Sequence, residues 1–278
     1  MQYYEVVIVG AGPAGATCAR ILSHWGLSVL VMDRDRFPRD KPCAGWITPA
    51  VLDALRIDPV RYRQGRLLQE IREFRTSIMF GRELRTDFGA TVSYGIRRSE
   101  FDQFLLDSNT GPTQLGQAVQ GLERTDDGWL INGEIRARLL VGAGGHQCPV
   151  ARVLGARPAG EPAVLAQVVE FAMGDEQQTA CRLAPGHTAL SFTRDGRGYG
   201  WILRKGRYLN IGLGCRAGRE ISKRMNDFCV FLRRRGDFSG DLGGPFRGAA
   251  YLTYRETGGR RLVGDRALLI GDAAGLAY

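Results

Sequence analysis

No long apolar run, no close cysteine pair and very little histidine occur in this chain of 278 residues. Nothing approaches about 18 uninterrupted apolar residues, and "MQYYE" leads straight into an apolar strand without the charged and apolar regions of an export signal. These absences argue against a spanning helix and against export, so a cytoplasmic protein is expected. The six cysteines, at 18, 43, 148, 181, 215 and 229, form no Cys-x-x-Cys pair, and His24, His146 and His187 lie far apart. That spacing argues against a zinc site and a disulfide framework, and no metal is expected. The net charge of +9 suits an anionic cofactor, an acidic substrate or an anionic membrane surface. No recognised nucleic-acid motif accompanies it, so no nucleic acid is expected as a partner.

What is present is a chain that is 44% hydrophobic, enough for a sizeable core in one or two domains. The stretch "YYEVVIVGAGPAGATCARILSHWGLSVLVMDRD" predicts a strand over about Tyr4 to Val9, a glycine turn, a helix and a second strand over about Ser28 to Asp33. In such a βαβ unit Gly10 permits the turn, Gly12 lets the backbone approach a diphosphate, and Gly15 allows close helix-to-strand packing. Pro13 and Ala14 open the helix, whose N-terminal amides and dipole favour an anion. Asp33 falls 18 residues after Gly15, followed by Arg34. A carboxylate there accepts from an adenosine ribose and repels a 2′-phosphate.

Further along, "IRRSEFDQFLLDS" predicts a helix with Ser99 as N-cap and Asp102 in its first turn, with Arg97 and Arg98 just ahead of the cap. "ARLLVGAGGHQCPVARVLG" and "DRALLIGDAAGLAY" predict two more strand-to-glycine turns. Between them, about 71–94 and 160–256 carry β-rich runs that predict a second, mostly antiparallel sheet inserted into the first domain. "REISKRMNDFCVFLRRRG" predicts one helix in that region, with Ile221, Met225, Phe228, Cys229 and Leu232 on one core-facing side and an end at Gly236. "GLGCRA", Gly212 to Ala217, imitates a second fingerprint but lacks the later strand ending in an acid. "GAGGHQ" has Gln147 where a third glycine belongs. One dinucleotide site with auxiliary turns is therefore expected.

These residues resemble the flavoproteins of the geranylgeranyl reductase type, related to aromatic hydroxylases of the p-hydroxybenzoate hydroxylase fold, over essentially the whole chain. The resemblance implies FAD as cofactor and an α/β fold: a Rossmann-like FAD-binding domain with a discontinuous, mostly antiparallel β-sheet substrate domain. The domain segments it implies are 1–70, 95–159 and 259–278 for FAD binding and 71–94 and 160–258 for substrate. Gly10, Gly12, Pro13, Ala14 and Gly15 would hold the diphosphate, and Asp33 with Arg34 the ribose side. "KPCAG" is similar to the family's segment beside the flavin, placing Cys43, Ala44 and Gly45 there. Arg98 resembles an FAD-contacting arginine, Val119 an adenine-side backbone contact, and Gly271 with Asp272 the turn that binds the ribityl chain. Tyr199 and Trp201 in "YGWILRKGRYLNIGLG" resemble residues lining a substrate cavity.

The resemblance further implies a reductase of C=C bonds in an apolar, isoprenoid-like substrate, with peripheral membrane association. Cys43 would either donate a proton to the substrate or pack beside the ring. The electron donor stays open between NAD(P)H and a reduced protein carrier. Gly144 stands where hydroxylases of this fold carry an acid, so direct NAD(P)H docking is not expected. Leu203 and Arg204 replace a Phe-Pro pair in the cavity stretch. No Trp-x-Trp occurs, which places a flavin-dependent monooxygenase or halogenase second. Family members continue beyond the position of Tyr278, so a truncated chain is expected, and a non-catalytic FAD-binding fragment is the remaining alternative.

Overall fold

Apolar runs that do not alternate with polar residues become strands covered on both faces, the pattern of a parallel sheet. Val6 to Val9 and Val29 to Met32 are all buried for this reason. The computed structural model of the chain describes every residue except 157–162, 217–219, 255–258 and 278. Two compact units emerge: Met1–Asp40, Phe101–Ala163 and Tyr251–Tyr278 form the first, Lys41–Glu100 and Val164–Ala250 the second. Residues 41–70 and 95–100, expected with the nucleotide-binding segments, group with the second unit. Their strands Trp46–Ile47, Leu68–Ile71 and Ser93–Ile96 pair with one another in a small antiparallel sheet. The expected boundary at 159/160 lies outside the described residues.

In the first unit Gln2–Val9 runs parallel to both Val29–Asp33 and Ile135–Gly142. Ala267–Leu269 extends the sheet beside Ile135–Gly142, and Thr113–Leu115 extends it beside Val29–Asp33, both in parallel. The helix Pro13–His24 makes the first crossover, buried through Gly15, Ala16 and Ala19. A core of Val7, Val9, Leu30, Met32, Leu140, Val150 and Leu269 fills one side. The first two strands keep the expected type and differ from expectation only at their first residues.

The second unit carries a seven-stranded sheet in the order Arg247–Tyr251, Val164–Ala172, Tyr208–Arg216, Gly198–Lys205, His187–Phe192, Glu73–Ile78, Glu83–Asp87. From Val164–Ala172 to Glu83–Asp87 the neighbouring strands run antiparallel, except that His187–Phe192 and Glu73–Ile78 run parallel. One face is covered by the helix Ile221–Arg235, which buries Met225, Phe228, Cys229, Phe231 and Leu232 and ends at Gly236 in the left-handed region. Gly200 makes that approach possible, since a Cβ there would lie 2.6 Å from the Phe228 ring. Arg233, Arg234 and Arg235 sit in the last turn, where cations complement the helix dipole.

One capping expectation fails. The helix predicted to be capped by Ser99 starts at Arg98 and runs to Asp107, so Ser99 lies inside the first turn. Asp102 is fully buried and faces the Arg39 guanidinium at 3.3 Å.

Candidate functional site

The first unit gathers three of the predicted turns. Gly10 has φ +117, and any Cβ on it would overlap the Ala143 peptide, so the first glycine turn lies flat against the turn after Gly142. A Cβ on Gly15 would overlap the Gly10 carbonyl, which is how the third glycine lets the helix start tightly under the strand end. Gly271, at φ +59, abuts Ala14, 2.7 Å from where its Cβ would stand. Asp272 follows on an exposed position of the short turn Gly271–Ala274. A Cβ on Gly144 would stand 3.3 Å from Cys148, so any side chain there requires Cys148 to shift slightly.

The N-terminus of Pro13–His24 has no side-chain cap and no acid in its first turn. Its amides therefore keep their capacity for an anion. Asp33 does more than the motif suggests: one carboxylate oxygen accepts from the Ala11 amide at 2.7 Å and the other from the Asp35 amide at 2.9 Å. A carboxylate has about four acceptor positions, so two remain for further donors. Arg34 is exposed and donates to Gln147 at 3.4 Å. Val119 lies in the loop after Thr113–Leu115, half-buried against the core. Asn132 fixes that loop, accepting from the Gln120 and Gly121 amides and donating to the Ala118 carbonyl.

Sequence analysis missed Arg39. Its Nη2 lies 3.5 Å from the place a Gly12 Cβ would take, its Nη1 faces Asp102, and its guanidinium stacks over Phe37 at 4.7 Å. A cation held beside uncapped helix amides fits a diphosphate. Little marks it in a chain with 38 Lys and Arg: of its two carboxylate partners Asp35 is local and exposed, and Asp102, the buried one, is remote in sequence. The glycine cradle, the uncapped amides and this guanidinium together fit the diphosphate of a dinucleotide.

The second unit holds Cys43, Ala44, Gly45, Arg98, Tyr199 and Trp201. Cys43 is half-buried, and its carbonyl accepts from Asn210 Nδ2 at 2.9 Å. Lys205, Glu170 and Asn210, none of which sequence analysis singled out, form a polar cluster beneath this segment. Trp201 is buried and donates to Asn210 Oδ1 at 2.9 Å. Its ring lies on Gly212, where any Cβ would overlap it, so the "GLG" of the fingerprint look-alike belongs to a strand that makes room for an indole. Tyr199 is 5.9 Å from Trp201 ring to ring and 6.2 Å from Phe192. Burial, with the Cys43 thiol as a second contribution, pushes the Tyr199 phenol up.

Strand register places Ile78, Phe192 and Tyr199 in one cross-strand row, and Leu84, Thr76, Leu190, Trp201 and Val168 in the next. Paired residues share a face. These two rows, opposite the helix-covered face, are thus mostly apolar and aromatic, and the next row of the same face carries Asn210 and Glu170.

A family profile described as an FAD binding domain matches residues 3–277. A menaquinone reductase of Mycobacterium tuberculosis is 31% identical, the alignment covering 97% of this chain and 70% of that protein. A digeranylgeranylglycerophospholipid reductase of Methanothermobacter thermautotrophicus is 27% identical, covering 98% of this chain and 70% of that protein. Among solved structures, a geranylgeranyl bacteriochlorophyll reductase-like protein of Thermoplasma acidophilum superposes with a TM-score of 0.81 at 19% identity, over 99% of this chain and 72% of the other.

Proposed function

Because the chain belongs to the FAD-binding-domain family and, within it, to the geranylgeranyl reductase-type oxidoreductases, we propose that this FAD-dependent oxidoreductase reduces carbon–carbon double bonds in an apolar, isoprenoid-like substrate. The observation that carries the substrate class is the aromatic face of the seven-stranded sheet. Its rows of Ile78, Phe192, Tyr199, Leu190 and Trp201 offer a chain-like molecule apolar contact and few hydrogen-bonding partners.

In this reading Gly10, Gly12, Pro13, Ala14, Gly15 and Arg39 hold the FAD diphosphate, and Asp33 holds the ribose with Arg34 at its side. Asp272, on the Gly271 turn, takes the ribityl chain, and Val119 the adenine side. Arg98, Cys43, Ala44 and Gly45 serve the flavin. FAD, when bound, supplies the hydride. Cys43 gives the proton that completes reduction of the double bond, while Tyr199 and Trp201 orient the substrate and exclude water.

The test is a single-turnover experiment. Protein loaded with FAD and reduced by dithionite without oxygen should recover its oxidised-flavin absorbance on mixing with a polyprenyl lipid that carries no quinone, and the product should gain two hydrogens by mass. Reoxidation only when oxygen is admitted, with a hydroxylated product from an aromatic compound, would replace this reading with a monooxygenase.

Two smaller results are expected. Asp33→Ala should weaken FAD binding by titration of the apoprotein, since a charge-assisted hydrogen bond contributes about 1.5–3 kcal/mol. It should also lower the melting temperature without FAD, because the Ala11 and Asp35 amides lose their acceptor. Unchanged affinity would remove Asp33 from the ribose. Separately, the net charge of +9 should draw the protein to vesicles containing anionic lipid, with binding lost as salt rises. No helix among the described residues is long and apolar enough to cross a membrane, so this association would be peripheral. Salt-insensitive binding, or none, would overturn it.

A further inference from the structure

Two stretches assigned to the flavin, Cys43–Gly45 and the approach to Arg98, share one ion pair between a buried lysine and a partly buried glutamate. Lys205 ends the strand Gly198–Lys205 and is fully buried. An ammonium has three protons to donate, and here each has an acceptor: the Ala44 carbonyl at 3.1 Å, the Ile96 carbonyl at 2.7 Å and the Glu170 carboxylate. Burial pulls the Lys205 ammonium down from its ordinary range and Glu170 pulls it back up. With three acceptors in place, the charged form is the one that satisfies the site. Gly45 and Gly95 give the side chain its space, since a Cβ on either would stand 2.7 Å from a Lys205 atom.

Glu170 extends the cluster both ways. Its Oε2 also accepts from Asn210 Nδ2 at 2.9 Å, and its Oε1 lies 3.6 Å from Arg97 Nε. The orientation of the Asn210 amide follows from its neighbours. Its oxygen faces the Trp201 indole N–H, and its nitrogen faces two acceptors, Glu170 and the Cys43 carbonyl. A flipped amide would set donor against donor and acceptor against acceptor. The Ile96 amide in turn donates to the Gly45 carbonyl at 2.7 Å, closing the link between the two stretches.

We infer that Lys205 and Glu170 are positioning residues: their ion pair, completed by Asn210, pegs the backbone of Cys43–Gly45 and of Ile96 and so sets how the Cys43 thiol and the Arg98 guanidinium are presented. This rests on the proposed roles of Cys43 and Arg98. The cluster holds the backbone of both stretches, and the Cys43 thiol also lies within electrostatic reach of Lys205.

Removing one partner of a buried pair strands the other charge, whereas replacing both with apolar residues of similar size is often tolerated. The informative variant is therefore Lys205→Met with Glu170→Leu. It is compared with the parent by thermal melting, by hydrogen exchange of individual amides, and by the rate at which the FAD-reduced protein is reoxidised by a polyprenyl substrate. The expected result is a folded protein whose melting temperature falls by several degrees, because the Ala44 and Ile96 carbonyls lose their ammonium donor, and several-fold faster exchange at the Ile96 amide. Exchange across Tyr208–Arg216 should not change. Substrate reduction should slow by roughly 10- to 100-fold in kcat, as misplacement of a reacting group by about 1 Å does, with KM nearly unchanged. A folded double variant with parental exchange at Ile96 and parental kcat would overturn the inference. Asn210→Ala, which frees the Cys43 carbonyl and leaves the ion pair intact, provides a second test should the double variant not fold. Parental kcat and parental exchange over residues 43–45 in that variant would overturn the inference equally. Hydrogen exchange needs no catalysis, so it tests the peg even where Cys43→Ser shows that the thiol is not the proton donor.

Discussion

Cys43→Ser should leave FAD bound and slow substrate reduction by about 10²–10⁴-fold, the loss that follows removal of a positioned acid. The serine hydroxyl fits the space of the thiol but is a far weaker acid. The surroundings of Cys43 make the substitution a clean one. Its carbonyl is held by Asn210, and the next two residues lie against Lys205, so the backbone has reason to stay in place when Sγ becomes Oγ. The half-buried side chain lies within electrostatic reach of Tyr199 and Lys205. Rapid mixing separates the two halves of the cycle. Flavin reduction by dithionite should proceed at the parental rate, since it needs no proton from the thiol. Reoxidation by a polyprenyl substrate should carry the whole loss. Equal reoxidation rates would leave the thiol as packing, and loss of FAD would make it structural.

What could be read beforehand depends on how locally the information is stored. The βαβ unit was legible because its causes lie within one short stretch: three glycines, an apolar strand on either side and an acid at the end of the second. The helix over 221–235 was legible for the same reason, since a 3.6-residue period and Gly236 are both visible in the sequence. The cap at Ser99 was misread because a local rule was applied where a distant partner decides. Asp102 is buried facing Arg39, and no spacing rule joins those two residues. The cluster of Lys205, Glu170 and Asn210 was invisible for a related reason. Its members sit on three strands, and only the register that pairs Glu170 with Asn210 and Asn210 with Leu203 makes them neighbours. Lys205 also reads as a surface residue by type, and only its three acceptors explain why it is buried. Gly45 has the same history: the sequence marks it as small, and the structure shows that a Cβ there would overlap the Ile96 carbonyl and then crowd Lys205.

Gly15→Ala should abolish FAD retention and destabilise the first unit, although it adds one methyl group to a helix where alanine is the best former. Propensity favours the change by up to about 1 kcal/mol. Sterics oppose it, because the new Cβ would overlap the Gly10 carbonyl, a backbone atom that cannot swing aside as a side chain would. Gly10 itself lies against the Ala143 peptide and donates its amide to the Met32 carbonyl at 2.7 Å, so the turn is held on both sides. Relief must come from moving the helix Pro13–His24 outward. That movement strains packing around Ala16 and Ala19, both fully buried, and forcing an extra carbon into such a site costs typically about 1–3 kcal/mol. The same shift pulls the first-turn amides and Ala14 away from Gly271, so the diphosphate cradle loses its shape together with its stability. Gly244→Ala is the matched control, since a Cβ there meets nothing within 4 Å. The expected pair of results is a Gly15→Ala protein that purifies without FAD and melts several degrees lower, and a Gly244→Ala protein that keeps FAD and melts with the parent. Full FAD content in Gly15→Ala would show that the turn can yield, and that the third glycine is not what sets the seat of the cofactor.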